Sequence, residues 1–228
     1  MKIAEVFYSI QGEGALAGVP SVFVRTSGCN LRCTWCDTPY ASWAPEGETR
    51  QLGPLVDEVA GYGARHVVVT GGEPMIAPGI CELTERLRAL GLHITIETAG
   101  TVFAPVACDL MSISPKLANS TPWERDRGRW AARHERLRLQ MDVLRRLVAA
   151  YDYQLKFVVA APADLDEIRR VVDEIGVRDG AKIMLMPEGA DRETLRERGR
   201  WLVEAAKREG FRFSPRLHIE LWGNRRGV

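Results

Sequence analysis

The sequence predicts an α/β fold, an incomplete parallel (β/α) barrel with about six core strands. Three observations lead there. Strand-like runs alternate with helix-like runs along most of the 228 residues, the pattern of βαβ units. The core strands are too few for a closed eight-stranded barrel. The link from Gly100 to Cys108 is too short for an ordinary crossover helix, so one helix should be missing there.

Met1 to Ile10 and Ser21 to Thr26 read as the first two strands, and Pro39 to Pro54 as the most loop-like stretch. Leu52 to Tyr62 reads as a helix and His66 to Thr70 as a buried strand. Ile80 to Leu90 has helical periodicity and stops at Gly91. His93 to Glu97 alternates like a strand, and Leu110 to Ile113 forms a short one. Asn119 to Arg129 is polar and irregular, a candidate flap. Arg129 to Ala150 reads as one long amphipathic helix whose arginines form a solvated face. Leu155 to Val159 (strand), Ala163 to Ile175 (helix), Lys182 to Met186 (strand) and Arg192 to Glu209 (helix, ended by Gly210) follow, and Arg216 to Leu221 reads as a last strand. Residues 1–228 are expected to form a single domain.

Net charge is +1, which by itself predicts no nucleic-acid partner. No apolar run approaches the ~18 residues of a membrane span. The N-terminus has no signal-peptide layout, so a cytoplasmic location is expected. Of five cysteines, Cys29, Cys33 and Cys36 crowd together, while Cys81 and Cys108 stand alone and read as small buried hydrophobes. The odd count argues against a disulfide framework.

The spacing Cys29-x3-Cys33-x2-Cys36, directly after a strand, offers three soft thiolate ligands. A protein-held 4Fe-4S cluster normally has four cysteine ligands, so three would leave one iron open to another molecule. A zinc site with a distant fourth ligand is the alternative. Thr70-Gly71-Gly72-Glu73-Pro74 follows the buried strand. Its glycines permit close backbone approach, and Glu73 is a candidate partner for an ammonium group.

These two motifs resemble the radical S-adenosylmethionine (SAM) superfamily. The resemblance implies a 4Fe-4S cluster on Cys29, Cys33 and Cys36, SAM on the open iron, and hydrogen abstraction by a 5′-deoxyadenosyl radical. Tyr8-Ser-Ile10-Gln11-Gly12-Glu13-Gly14, Gly18-Val-Pro20, Phe23-Val-Arg25 and Cys36-Asp37-Thr38-Pro39-Tyr40 narrow it to the 7-carboxy-7-deazaguanine synthase family. Glu97 to Gly100, Ser114 to Lys116, Met186 to Gly189 and Trp222 to Val228 extend the resemblance over nearly the whole chain. It implies conversion of a carboxytetrahydropterin to 7-carboxy-7-deazaguanine with loss of ammonia, and a Mg2+ ion.

By that resemblance Ile10, Gln11, Gly12, Glu13, Arg25, Thr70 and Val228 meet the pterin, and Thr38 ligates Mg2+. Trp35, Asp37, Gly72, Glu73, Ser114, Pro115, Lys116 and the run Met186, Pro187, Glu188, Gly189 surround SAM. An amide, a carboxylate and backbone groups suit a pyrimidinone edge, a guanidinium suits a carboxylate, and a hydroxyl suits a hard cation. Relatives carry a tail histidine against the pterin, and Trp222 is read as standing in its place. The partners implied are an electron donor such as flavodoxin or ferredoxin and a second copy in a homodimer. Two other readings share some of these motifs: an activase that makes a glycyl radical on a partner protein, and a non-catalytic iron–sulfur protein.

Overall fold

The computed structural model describes residues 1–228. Its single nine-stranded sheet contains β1 (Lys2–Ile10), β2 (Pro20–Thr26), β3 (Glu48–Thr49), β4 (His66–Gly71), β5 (His93–Thr98), β6 (Leu110–Ile113), β7 (Tyr153–Val159), β8 (Ile183–Pro187) and β9 (Arg212–Phe213). The order is β3-β1-β2-β4-β5-β6-β7-β8-β9. From β2 to β9 every pairing is parallel, while β1 is antiparallel to β2 and β3. The barrel is open, because β3 and β9 do not pair with each other.

Period-2 alternation sorts the strand residues. Val22, Val24, Val67, Val69, Ile94, Ile96, Leu155, Phe157, Val159, Ile183 and Leu185 join the main hydrophobic core. That core lies between the sheet and α2 (Leu52–Gly61), α3 (Ile80–Ala89), α5 (Met141–Ala150), α6 (Asp164–Ile175) and α7 (Arg192–Glu209). The intervening residues Phe23, Arg25, Thr70, Glu97, Lys156, Val158 and Met186 face an internal cavity instead. The sheet thus has an apolar outer face under helices and a polar inner face.

Residues after β1 fold into the open barrel. Gly14 N–H donates to Ser214 Oγ (2.9 Å) and Ala15 N–H to Gln154 Oε1 (2.8 Å). Gln154 in turn donates to Ser112 Oγ at 2.8 Å. This polar layer ties the loop after β1 to β6, β7 and the segment after β9.

The missing helix is confirmed, since β5 runs to β6 without one. Two expectations are corrected. The segment from Arg129 to Ala150 is two helices, α4 (Ala131–Arg138) and α5, separated where Leu139 turns extended (φ −127, ψ 102). Arg138 anchors that end of α4 on Lys116 O (3.0 Å) and Glu167 (2.7 Å). The segment from Arg216 to Leu221 is not a strand; Leu217–Trp222 is helix α8, closed by Gly223 at φ 73, and the last strand is β9. Leu217, Ile219 and Leu221 alternate like a strand, but only Ile219 is fully buried. Part of the loop-like stretch also has structure, as α1 (Pro39–Ser42) and β3. Asn119 is tied down by bonds to Val158 O (3.1 Å) and Asp164 (2.8 Å), unlike a free flap.

Candidate active site

A cavity of about 680 Å³ opens where the parallel strands end. Every residue that the resemblance places on cluster, SAM, Mg2+ or pterin lines it except Glu73, Pro115 and Pro187. The cysteine loop, Thr70 to Gly72, Glu97 and Ser114 to Lys116 therefore meet at one end of the barrel.

The cysteine loop is held by its backbone. Leu31 N–H donates to Cys29 Sγ (3.3 Å), Thr34 N–H to Ser120 O (2.8 Å), and Trp43 Nε1 to Cys33 O (3.0 Å). Arg32 N–H donates to His134 Nδ1 (3.1 Å), and His134 Nε2 lies 2.9 Å from Ser120 Oγ. Burial pulls His134 down to about 4, keeping the ring neutral so that Nδ1 can accept. All three cysteines are free thiols packed with Leu31, Trp35, Ala99 and Leu137. Burial pushes Cys29 and Cys33 up to about 12, and a metal centre bound there would compensate the buried thiolate charge. A cubane takes one sulfur at each of three corners, and Cys29, Cys33 and Cys36 line the same cavity wall as free thiols.

The glycine pair has a structural reason different from ligand approach. A Cβ on Gly72 would overlap Gly28 O and Ala41 O, and one on Gly71, which sits at φ 147, would overlap Thr26. Glu73 N–H donates to Gly28 O at 2.9 Å. The turn after β4 is thus the floor of the cysteine loop. Glu73 itself is fully buried and does not line the cavity. Its oxygens accept from Thr98 Oγ1 (2.7 Å), Ala99 N (2.8 Å) and Met75 N (3.1 Å). Burial raises its carboxyl above the ordinary range despite those bonds.

Facing the cysteines is an ionic cage. Glu13 pairs with Lys156 and with Arg216 Nε (3.0 Å). Arg216 also pairs with Asp37 and donates to Gly189 O at 2.6 Å. Burial opposes ionisation of Glu13 and Asp37, but Lys156 and Arg216 around Glu13, and Arg216 beside Asp37, hold both carboxyls below their ordinary values. Gln11 Nε2 donates to Glu97 Oε1 (3.0 Å), and Gln11 Oε1 accepts from Glu13 N–H (3.2 Å).

At the rim, Arg25 donates from Nε to Glu5 (2.6 Å), and its two terminal nitrogens make no bond within the protein. Glu5 also accepts from Tyr40 OH (2.8 Å) and Arg226 Nε (3.0 Å). Arg226 lies 4.0 Å over the Tyr40 ring, which brings the tail and Val228 onto the cavity. Thr38 Oγ1 has one polar neighbour, Cys36 Sγ at 3.7 Å. Lys116 Nζ bonds Ser114 O (2.9 Å) and Oγ (2.7 Å) beside the Trp35 ring. Glu188 pairs with Arg198 on α7.

Sequence reasoning missed Lys156, Arg216, His218 and His134. His218 on α8 lines the cavity so close to Gly12 that a Cβ there would overlap its Nδ1. Trp222, read as the replacement for a tail histidine, does not line the cavity. The only local signal was a lysine and a histidine inside short apolar runs, Leu155-Lys156-Phe157 and Leu217-His218-Ile219.

Comparison with known proteins agrees with this geometry. Residues 23–147 match the radical SAM superfamily. A 7-carboxy-7-deazaguanine synthase of Rhodopirellula baltica is 48% identical over 99% of this chain and 88% of its own length. That of Halobacterium salinarum is 46% identical over 98% and 91%. The crystal structure of QueE from Escherichia coli superposes with a TM-score of 0.67 at 26% identity, covering 93% of this chain and 92% of that one. No helix of this structure is long and apolar enough to cross a membrane. The cavity, its three free thiols and these full-length relatives lead to one conclusion: the chain belongs to the 7-carboxy-7-deazaguanine synthase family of the radical SAM superfamily.

Proposed function

We propose that this chain converts 6-carboxy-5,6,7,8-tetrahydropterin to 7-carboxy-7-deazaguanine with loss of ammonia, as a radical SAM carbon–nitrogen lyase. One observation carries the reading: a single cavity joins three free cysteines to a buried cage of Gln11, Glu13, Lys156 and Arg216. A peptide substrate, as in glycyl-radical activation, has no use for such a charged clamp, and a pure electron carrier has no use for a cavity of this size.

The chemistry that a 4Fe-4S cluster and SAM supply when bound is removal of a hydrogen atom from an unactivated C–H bond. Cys29, Cys33 and Cys36 would hold the cluster. Trp35, Asp37, Gly72, Ser114, Lys116, Met186, Glu188 and Gly189 would hold SAM, while Glu73, Pro115 and Pro187 support them from behind the wall. Ile10, Gly12 and Thr70 would offer backbone and hydroxyl groups to the pterin. The Gln11 amide, fixed by Glu97, and the Glu13 carboxylate, fixed by two cations, are already oriented for a pyrimidinone edge. His218 would close that pocket from α8. The free end of the Arg25 guanidinium suits the substrate carboxylate. Val228 and the tail beneath Arg226 would shield the cavity from water. The Thr38 hydroxyl fits Mg2+, a hard ion that takes few protein ligands.

The chain is taken to act as one domain, as a homodimer, in the cytoplasm, with flavodoxin or ferredoxin as electron donor. Five free thiols suit a reducing compartment. The exposed Tyr8 and Tyr62, with ring centroids 6.0 Å apart, are a surface that a second copy would cover. The test is anaerobic incubation of the reconstituted protein with SAM, dithionite, Mg2+ and the carboxytetrahydropterin. Deazaguanine product and ammonia in equal amounts are expected. SAM cleavage with the pterin left unchanged would overturn the substrate assignment.

A further inference from the structure

Outside the cavity, the cysteine loop is bordered by a cluster of arginines that the site does not use. Arg32 stands between Cys29 and Cys33, and Arg125, Arg127, Arg129, Arg133 and Arg136 crowd into the segment leading into and along α4. None lines the cavity. None is ion-paired; Glu135, the acid amid them, is taken by Arg138. Only Glu124 and Asp126 oppose six arginines, in a chain whose net charge is +1. The patch is therefore a local concentration of charge, and like charges held together cost stability unless a partner uses them.

Four of the six are stacked on tryptophans. The guanidiniums of Arg32, Arg129 and Arg133 lie 4.9, 5.5 and 5.9 Å from the Trp130 ring. Arg125 lies 4.0 Å over Trp43 and donates to Thr34 O at 2.9 Å. Trp43 in turn donates to Cys33 O. Asp126 and Arg127 hold left-handed backbone (φ 54 and 55), which non-glycine residues avoid at about 1–2 kcal/mol each. Trp123 beside them is 64% exposed. Positive charge, an exposed indole and a fixed turn thus adjoin the backbone of two cysteine ligands.

What must arrive at this place is an electron. The chain has no second cysteine cluster to act as a relay, since Cys81 and Cys108 stand alone. We propose that this arginine surface docks an acidic one-electron carrier protein against the cysteine loop, an inference that rests on the radical SAM reading above. The carrier loses one electron, the iron–sulfur centre gains it, and no bond is made or broken. Charge complementarity of this kind mainly sets encounter rate and register, so it is sensitive to salt.

The probe is a purified acidic flavodoxin, titrated into the reconstituted protein and followed by flavin fluorescence anisotropy. Binding should weaken about tenfold in Arg129→Glu/Arg133→Glu, and by a similar factor in wild type between about 50 and about 300 mM NaCl. Arg133→Lys, which keeps the charge, should bind like wild type. Arg208→Glu, a charge reversal on exposed α7, should also leave binding intact. SAM cleavage driven by dithionite should match wild type in all of these variants, whereas flavodoxin-driven cleavage should fall in the double reversal alone. Equal flavodoxin affinity in wild type and the double reversal overturns the proposal. So does wild-type protein that binds a single-stranded RNA oligomer but no flavodoxin. Wild type that fails to cleave SAM even with dithionite refutes the enzyme reading instead, which separates the two failures.

Discussion

Two buried glutamates near the same cavity behave in opposite ways. Glu13 meets Lys156 and Arg216 and is held ionised, its carboxyl well below the ordinary range. Glu73 meets only N–H and O–H donors, and burial raises its carboxyl instead. The partners of Glu13 lie 143 and 203 residues away in sequence, so it ties the entry loop to β7 and to the start of α8. Those of Glu73 lie within 26 residues and tie the turn after β4 to the end of β5. Burial alone does not set the state of a carboxylate; the charge of its neighbours does. The first glutamate builds the ionic half of the cavity, the half proposed for substrate, and the second braces the floor of the cysteine half.

The largest effect should come from breaking the cage. Arg216→Met leaves Glu13 with one cation and Asp37 with none, and should cost about 3–5 kcal/mol in urea unfolding. Iron binding should survive, because the cysteine loop is held by Ser120, His134 and Trp43 and meets Arg216 only at Asp37. Loss of iron together with stability would show that the two halves are not separate.

Next comes the pair of carboxylates themselves. Glu73→Gln turns one acceptor into a donor facing Ala99 N–H and should cost about 1–3 kcal/mol. Opposite pH profiles should separate it from Glu13. The folded carboxyl of Glu13 lies below its ordinary 4.5, so its contribution is full above that pH and is lost as pH falls further. That of Glu73 lies above 4.5, so its contribution is full below 4.5 and is lost as pH rises through the raised value. Unfolding of Glu13→Gln should therefore lack part of the acid-side loss seen in wild type, and Glu73→Gln part of the loss on raising pH. Parallel profiles in the two variants would remove the distinction.

Smaller effects probe the substrate half. Gly12→Ala forces His218 aside, so it and His218→Ala should each raise the pterin KM about tenfold and be non-additive when combined. Additive effects would mean His218 merely packs there. Thr38→Ala should keep iron and SAM binding while losing rate and Mg2+ dependence, and Thr38→Ser should retain more of both. Product formation against Mg2+ concentration decides this, and a Thr38→Ala curve matching wild type removes the hydroxyl from the metal site.

The contrast also explains what the sequence revealed. The cysteine half was legible because its parts are contiguous: Cys29 to Cys36 and Thr70 to Pro74 are short motifs with fixed spacing. In the cage only Gln11, Glu13 and Asp37 could be read, because they adjoin motifs. Lys156 sits mid-strand, where period-2 alternation turns it inward, but nothing local says that a glutamate from the first turn will meet it. Arg216 and His218 were hidden by a wrong element, since one turn of helix reads like an alternating strand. The break between α4 and α5 depends on Arg138 reaching Lys116 and Glu167, contacts that no window of sequence contains.

The central claim is that Cys29, Cys33 and Cys36, and not the isolated cysteines, make the cavity a radical SAM site. Iron content and SAM cleavage after anaerobic reconstitution test it most directly. Wild type, Cys81→Ala and Cys108→Ala should each hold about four irons per chain and cleave SAM with dithionite. Cys29→Ala, Cys33→Ala and Cys36→Ala should each lose the cluster and the cleavage together. A wild-type protein that stays colourless and zinc-loaded, or one whose iron depends on Cys81 or Cys108, would contradict the account.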